Sequence, residues 1–262
     1  MQNEKTALVT GATGAIGSAI VEALADQGCQ VVLLGRNRKK SERLTSRIID
    51  RTGNQRVSFV LADLSRHQSL RDLAARWENP LDILINNAAV TPPVRQETPE
   101  GIELQFATNV LGYFWMMRLF TPHLTEANQP RIINVASYWA GGLDLSDLEF
   151  ERRPYHNDSA YRQSKQADRM ISRAFAERLQ PKNITVNSCH PGDVSSTLSN
   201  NLGFGGHQTP AQAADTPVWL ATSPDLNETS GKYFENRSQV YCPFSNRSDQ
   251  VKALYQKCRE YD

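Results

Sequence analysis

Thr10-Gly11-Ala12-Thr13-Gly14-Ala15-Ile16-Gly17 stands between a short apolar run and a helical pattern. Glycines at this spacing let the backbone turn tightly and approach a bound anion. The helix that follows offers free N–H groups and the positive end of its dipole. That chemistry is the binding of a pyrophosphate, so the segment reads as a dinucleotide loop, with Gly11, Thr13, Ala15, Ile16 and Gly17 as its contacts. The second apolar run ends Leu33-Leu34-Gly35-Arg36-Asn37-Arg38-Lys39-Lys40. NAD-selective folds usually carry an acid at this strand end for the ribose 2′-hydroxyl; here Arg36 stands near that point, with Arg38 and Lys39 close behind. Positive charge at a helix N-terminus opposes the dipole, and a 2′-phosphate would offset that cost. NADP(H) is therefore favoured over NAD(H), with Arg36 as the leading contact and Arg38 and Lys39 in support.

These residues need elements to position them. Residues 6–10, 30–34, 57–61, 82–85, 131–135, 184–188 and 232–234 read as strands, too short for independent helices and mostly rich in Val and Ile. Several are apolar on both faces, as buried parallel strands are. Helical patterns lie between them at 14–27, 38–51, 67–77, 98–124, 159–179 and 210–221. Strict alternation predicts an α/β, single-domain, doubly wound Rossmann-type fold of about seven parallel strands with helices on both faces. The core spans about residues 5–235, with a tail over 236–262. Two long loops, 138–157 and 195–209, follow strands of the second half on the side where open α/β sheets bind ligands. The second is a candidate lid. Residues 248–261 predict an amphipathic helix with Val251, Leu254, Tyr255 and Cys258 on one face.

Composition narrows the function classes. Over 262 residues, 29 Lys+Arg against 28 Asp+Glu leave a formal charge of +1, which argues against a general nucleic-acid binder. Cys29, Cys189, Cys242 and Cys258 form no C-x-x-C pair, so no metal site and no disulfide framework is expected, and a reducing, cytoplasmic setting fits. No apolar run approaches the ~20 residues that cross a bilayer. The opening residues 1–5 lead straight into the first strand and leave no room for a leader or an N-terminal anchor.

With the glycine loop, the sequence resembles the short-chain dehydrogenase/reductase family over about residues 5–235. Asp63-Leu64 sits where the family's third strand ends beside the adenine, and Asn86-Asn87-Ala88-Ala89 is similar to its N-N-A-G stretch. Asn109, Ser137, Tyr161 and Lys165 fall where its catalytic Asn-Ser-Tyr-Lys set is expected. His190-Pro191-Gly192 resembles the P-G turn beside the nicotinamide, followed by Val194 and Ser196. Local stretches such as Tyr161-Arg162-Gln163-Ser164-Lys165 and Gly231-Lys232-Tyr233-Phe234 look like the retinol dehydrogenase-like carbonyl reductases, which typically use NADP(H) on lipophilic carbonyl compounds or the matching alcohols. The chain departs from the family at Ala15, where a glycine is usual, at Ala89, and at Ser196, where a threonine often stands.

The resemblance implies cofactor contacts at Asp63, Leu64, Asn87, Ala88, Ala89, Tyr161, Lys165, Pro191, Gly192, Val194 and Ser196. It also implies a mechanism. Tyr161 and Lys165, spaced i, i+4, share one helix face. A phenol of pKa ~10 exchanges protons slowly near neutrality, and a nearby ammonium lowers that value. Tyr161 would then give its proton to a carbonyl oxygen held by Ser137, while Lys165 also holds the nicotinamide ribose. Asn109 would order a water that refills the proton through Lys165. Tyr138, Trp139, Leu143 and Pro154 with Leu198, Leu202 and Phe204 would line an apolar or aromatic substrate pocket. His190 reads as a turn residue bonded to backbone, Cys189 as a core residue, and Asp144, Asp147, Glu149, Glu151, Arg152 and Arg153 as a solvated loop end.

Two other readings fit the same fold. Gly11, Gly14 and Gly17 have the spacing of nucleotide-sugar epimerases or dehydratases, although few residues remain after Phe234 for their substrate domain. A non-catalytic NADP(H) sensor is the other, although such proteins usually lack the Tyr and Lys pair. Family members often pair through the two long helices beside the site. The second of these carries Arg162, Gln163, Gln166, Asp168, Arg169 and Arg173, which reads as a polar surface and leaves monomer and homodimer both open.

Overall fold

Branched side chains fit both faces of a covered sheet, and the Val- and Ile-rich runs form strands accordingly. The computed structural model describes residues 5–262; residues 1–4, on which the absence of a leader was argued, lie outside them. Parallel strands β1 Thr6–Thr10, β2 Gln30–Gly35, β3 Val57–Leu61, β4 Ile83–Asn86, β5 Arg131–Val135, β6 Thr185–His190 and β7 Tyr233–Glu235 build one sheet with a short β8, Ser238–Val240. Their order is β3-β2-β1-β4-β5-β6-β7-β8, with only β7 and β8 antiparallel. The order reverses between β1 and β4, which opens a crevice at the carboxyl ends of those strands. β8 was not expected. It follows Asn236 and Arg237, both at positive φ (47° and 58°), the geometry that closes a two-residue hairpin.

Helices α1 Ala15–Asp26, α2 Arg38–Thr52 and α7 Pro210–Thr222 bury one face of the sheet around Ile20, Leu24, Val31 and Ile85. Helices α3 His67–Ala75, α4 Gly112–Thr125 and α5 Asn157–Leu179 bury the other around Leu8, Leu84, Phe114 and Ile171. A short α6, Thr197–Asn201, lies inside the proposed lid, and α8, Ser248–Arg259, forms from the tail. No helix among the described residues is long and apolar enough to cross a membrane.

Three expectations need correction. The helix expected from residue 98 begins at 104, because Gly101 takes a left-handed φ of 82° and Thr98 closes a turn onto Glu100 and Gly101. Its first turns are a π-helix, Phe106–Leu111, before α4 proper. Most of the polar residues of α5 are not a surface: Gln163, Gln166, Asp168 and Arg169 are buried, while Arg162 and Arg173 are half-buried. The charged end of the 138–157 loop is a brace rather than a solvated tip. Buried Asp147 accepts from the Glu151 N–H at 2.8 Å and from Arg153, while Glu149 accepts from the Glu103 N–H at 2.9 Å and from the Tyr261 hydroxyl.

The amphipathic tail helix forms as its pattern predicts. Val251, Leu254 and Cys258 enter the core. The Tyr255 ring meets Phe114 of α4 at 5.1 Å and Phe175 of α5 at 5.4 Å, with the Arg178 guanidinium 3.7 Å above it. α8 thus covers part of the same α4–α5 pair through which the resemblance implied pairing of subunits.

Candidate active site

The glycine loop is held against the segment after β4. Gly11 sits at φ 62°, and a Cβ there would lie 2.6 Å from Ala88 Cα; a Cβ on Gly17 would lie 2.3 Å from the Gly11 carbonyl oxygen. The chain can approach itself this closely only without side chains. Asn87 ties the two segments together, donating from Nδ2 to the Thr10 carbonyl at 3.0 Å while its own N–H donates to Thr10 Oγ1 at 2.9 Å. α1 starts after Gly14 with no side-chain cap and no acidic residue in its first turn, so its positive end is left for an anion.

A groove runs from this loop along the carboxyl ends of β1, β2 and β4. Gly11, Thr13, Ala15, Ile16 and Gly17 form one wall, and Arg36, Asp63, Leu64, Asn87, Ala88 and Ala89 continue it toward Ser196 of the lid. The Asp63 carboxylate accepts from Ser65, from both N–H (3.0 Å) and hydroxyl (2.7 Å). Arg36 is exposed and has no ion pair among the described residues. An uncapped helix end at one side and a free guanidinium at the other fit a dinucleotide bearing an extra phosphate. Arg38 is not brought to this groove. Its guanidinium pairs with Glu42 at 3.5 Å and lies 5.7 Å from the Phe59 ring centroid. Gly14, Leu34, Gly35, Val90, Thr108, Thr197 and Leu198 also line the groove without having been named as cofactor contacts.

A second cleft adjoins the groove, sharing Ile16, Asn87, Ala89, Ser196 and Leu198 with it. Ser137, Tyr161, Lys165, Pro191, Gly192 and Val194 line it. Ser137 follows the end of β5 and lines the cleft together with Tyr161. Its Oγ accepts from the Trp139 N–H at 3.1 Å, which fixes the hydroxyl's direction. The loop carbonyl at Ser137 accepts from the Arg169 guanidinium, which lies 3.6 Å from the Tyr233 ring centroid. Burial pushes the Tyr161 phenol up from its ordinary value, while Lys165 and Ser137 pull it back. The sign expected of Lys165 is present, but burial outweighs it.

Lys165 and Asn109 are placed differently from what their expected roles suggest. Lys165 Nζ donates to the Val135 carbonyl at 3.0 Å and to Asp168 Oδ2 at 2.8 Å. Asn109 lies in the π-helical turn, where its Oδ1 accepts from the Val90 N–H at 2.9 Å. Its Nδ2 donates to the Val90 carbonyl at 3.1 Å and reaches Ser164 Oγ at 3.3 Å. The amide is spent on fixing the groove wall and the back of α5 rather than turned toward Lys165. The helix start that carries it is capped by buried Glu103, whose carboxylate accepts from the N–H groups of Gln105 (2.9 Å) and Phe106 (2.6 Å).

Trp139 and Phe204 meet edge to face at 5.4 Å, and Trp139 lies 6.3 Å from the Tyr161 ring. Phe204 and Leu198 line the cleft. Leu143 instead faces an inner hollow with Phe106 and Val110, and Pro154 and Leu202 do not reach the cleft. The His190 ring makes no hydrogen bond to backbone among the described residues: its Nδ1 is buried without a partner, its Nε2 lies 3.9 Å from Asp193 Oδ1, and burial pushes its pKa down. Its ring meets that of Tyr138 edge-on at 4.5 Å, and the Tyr138 hydroxyl donates to Asp193 Oδ2 at 3.3 Å. Cys189 is fully buried in the core. The lid is tethered: Asn201 Nδ2 donates to the Thr91 carbonyl at 3.2 Å, and Asn157 Nδ2 donates to the Asn201 carbonyl at 2.7 Å.

The chain is similar to known proteins. A short chain dehydrogenase family profile matches residues 5–203. Retinol dehydrogenase 13 of Homo sapiens is 34% identical over 255 residues, covering 90% of this chain and 77% of the relative. Retinol dehydrogenase 12 of Mus musculus is 33% identical over 251 residues, covering 90% and 79%. Among solved structures, a protein of Escherichia coli CFT073 complexed with NADPH has the same fold, with a TM-score of 0.73, 24% identity and coverage of 88% of this chain and 96% of that one.

Proposed function

The chain belongs to the short-chain dehydrogenase family, and from that premise we propose that it is an NADP(H)-dependent oxidoreductase interconverting a lipophilic or aromatic aldehyde or ketone and its alcohol. One observation carries the reading: Ser137, Tyr161 and Lys165 share a cleft that opens into a groove ending at the unpaired Arg36. A nicotinamide bound at the junction supplies hydride to the carbonyl carbon or takes it from the alcohol. Tyr161 passes a proton to the carbonyl oxygen or removes one from the alcohol. Ser137, directed by the Trp139 N–H, hydrogen-bonds the same oxygen as charge develops on it. Lys165 keeps positive charge beneath the phenol, and Arg169 fixes the carbonyl of the Ser137 turn. Asn109 acts as a positioning residue that holds Val90 and α5. Trp139, Phe204 and Leu198 provide an apolar wall, which supports a lipophilic substrate. The retinol dehydrogenase relatives point the same way.

Pairing through α4 and α5 would have to accommodate or displace α8, so the monomer is the favoured state. Four buried, unpaired cysteines fit a reducing compartment such as the cytoplasm. The test is NADPH oxidation across aliphatic, aromatic and terpenoid-like aldehydes and ketones, with an NADH arm and with Tyr161→Phe. Turnover should require NADPH and fall by about 10²–10⁴-fold in the variant while NADPH binding persists. Near-normal turnover by Tyr161→Phe would refute the mechanism. NADPH binding with no turnover on any carbonyl would favour a sensor instead.

A further inference from the structure

The hydride and proton steps leave one ionisable group in the site without a task. Asp168 follows Lys165 by three residues on α5, and its Oδ2 lies 2.8 Å from Lys165 Nζ. The two side chains are 2% and 0% exposed. Asp168 Oδ1 is buried with no hydrogen-bond partner among the described residues. A carboxylate sealed in this way costs free energy unless a cation compensates it. The adjacent Arg169 turns away to the Ser137 carbonyl, so Lys165 is the cation that faces it.

Lys165 is thereby engaged on two sides. The Val135 carbonyl takes one N–H at 3.0 Å and Asp168 takes another. From α4, Tyr113 lies with its ring 5.2 Å from Nζ and donates its own hydroxyl to the Val135 carbonyl at 3.3 Å. From α5, the Tyr161 ring is 5.8 Å away. The other titratable groups around this cluster are Cys189 of β6 beside Lys165, Cys258 of α8 beside Asp168, and Asp193, just after β6, with Tyr138 beside Tyr161. Both cysteines are fully buried, and burial holds their thiols protonated. The ammonium therefore acts on the phenol as half of an ion pair, and its field there is reduced accordingly.

We propose that Asp168 is a positioning residue of the reaction: it fixes Lys165 Nζ against the Val135 carbonyl and offsets its charge, keeping Tyr161 in its proton-donating form. The inference rests on the oxidoreductase reading above and adds a direction to it. A phenol that keeps its proton is ready to reduce a carbonyl, and alcohol oxidation needs a higher pH to remove that proton.

The test is Asp168→Asn, which preserves shape and an acceptor oxygen for Nζ while removing the charge. Rates are measured against pH in both directions. The phenolate absorbance of each enzyme is also titrated against its Tyr161→Phe counterpart. In Asp168→Asn the acid limb of oxidation, the alkaline limb of reduction and the phenolate titration should all move down by about one pH unit or more. Limbs and titration that stay in place, even with a lower rate, overturn the proposal, as does an upward shift. The titration needs no substrate, so failure to turn over any carbonyl would remove the oxidoreductase reading and leave this result readable. Should Asp168→Asn not fold, Lys165→Met is compared with Lys165→Met/Asp168→Asn. The single variant leaves a lone buried carboxyl, so its thermal midpoint should fall more steeply than that of the double variant as pH rises. Equal pH dependence of the two would show that no ion pair holds Lys165 and would overturn the proposal.

Discussion

Arg36→Ala tests cofactor selection most directly. Arg36 stands one residue before Asn37, whose side chain caps α2 by accepting from the Lys40 N–H at 3.0 Å. The first turn of α2 has no acidic residue, so the guanidinium and the helix end present one positive field to the groove. A hydrogen bond to a charged group is worth about 1.5–3 kcal/mol, or roughly 10- to 150-fold in affinity. Arg36 is exposed, and solvent screening places the effect near the lower end, at about 10- to 30-fold. Arg38→Ala is the internal control. Its guanidinium is shared between Glu42 and the Phe59 ring, and its loss should cost less than about 3-fold. The assay is KM for NADPH and for NADH with one carbonyl substrate, at low and at high salt. Arg36→Ala should raise the NADPH value alone and leave kcat and the NADH value unchanged, with the effect shrinking in salt. Equal losses for both cofactors, or none, would show that Arg36 is not the selector.

Three further outcomes follow from packing and charge. Gly17→Ala places a methyl 2.3 Å from the Gly11 carbonyl oxygen and 2.7 Å from Asn87 Nδ2; the loop must shift, and NADPH binding by fluorescence should weaken at least about 10-fold. Glu103 is pushed from 4.5 to about 7 by burial, against the two N–H groups it caps. The folded chain then holds this proton where the unfolded chain has lost it, so stability falls as pH rises between those values. The scale is on the order of 3 kcal/mol at most, and Glu103→Gln should flatten the fall in denaturant midpoints. Leu254→Ala empties a fully buried position of α8. It should cost about 2–5 kcal/mol in urea unfolding, and a cost under 1 kcal/mol would mean that α8 is not docked as described.

The sheet was legible because its signal is chemical and local. Val, Ile and Leu crowd β1, β2, β4 and β5, and Gly or Asn ends the first three of these runs, so their bounds lie within a residue of those expected. β8 escaped because its three residues are all exposed and carry no apolar period. Asn236 before Arg237 was the available sign of its turn. The start of the long helix was misjudged because periodicity continues through residues 98–103, while Gly101 and the Glu103 cap act on the backbone. The glycine loop stood out by its residue types and spacing, and Ser137, Tyr161 and Lys165, expected from the family resemblance, line one cleft beside it.

What supports those side chains was not legible, and α5 shows why. Helical periodicity separates apolar from polar residues, so Gln163, Gln166, Asp168 and Arg169 read as an outer face. In the fold each is buried, and three of them meet groups that only tertiary structure supplies. Gln166 takes the Leu143 N–H, Arg169 the Ser137 carbonyl, and Arg153 reaches Gln163. Asp168 meets Lys165, which stands on the same helix. That pair was in principle visible, since Lys165 and Asp168 are spaced i, i+3. If Lys165 faces the site, a carboxylate one turn on is carried toward the same interior. A charged residue on the face of a helix that carries a buried functional lysine is thus evidence about that lysine's charge before it is evidence about solvent. The same holds for Asn109, whose type suggested water and proton relay, but whose amide is matched donor for acceptor by the backbone of Val90. A side chain with both a donor and an acceptor can close such a pair with a peptide unit, and the site's precision then depends on that closure as much as on Tyr161 itself.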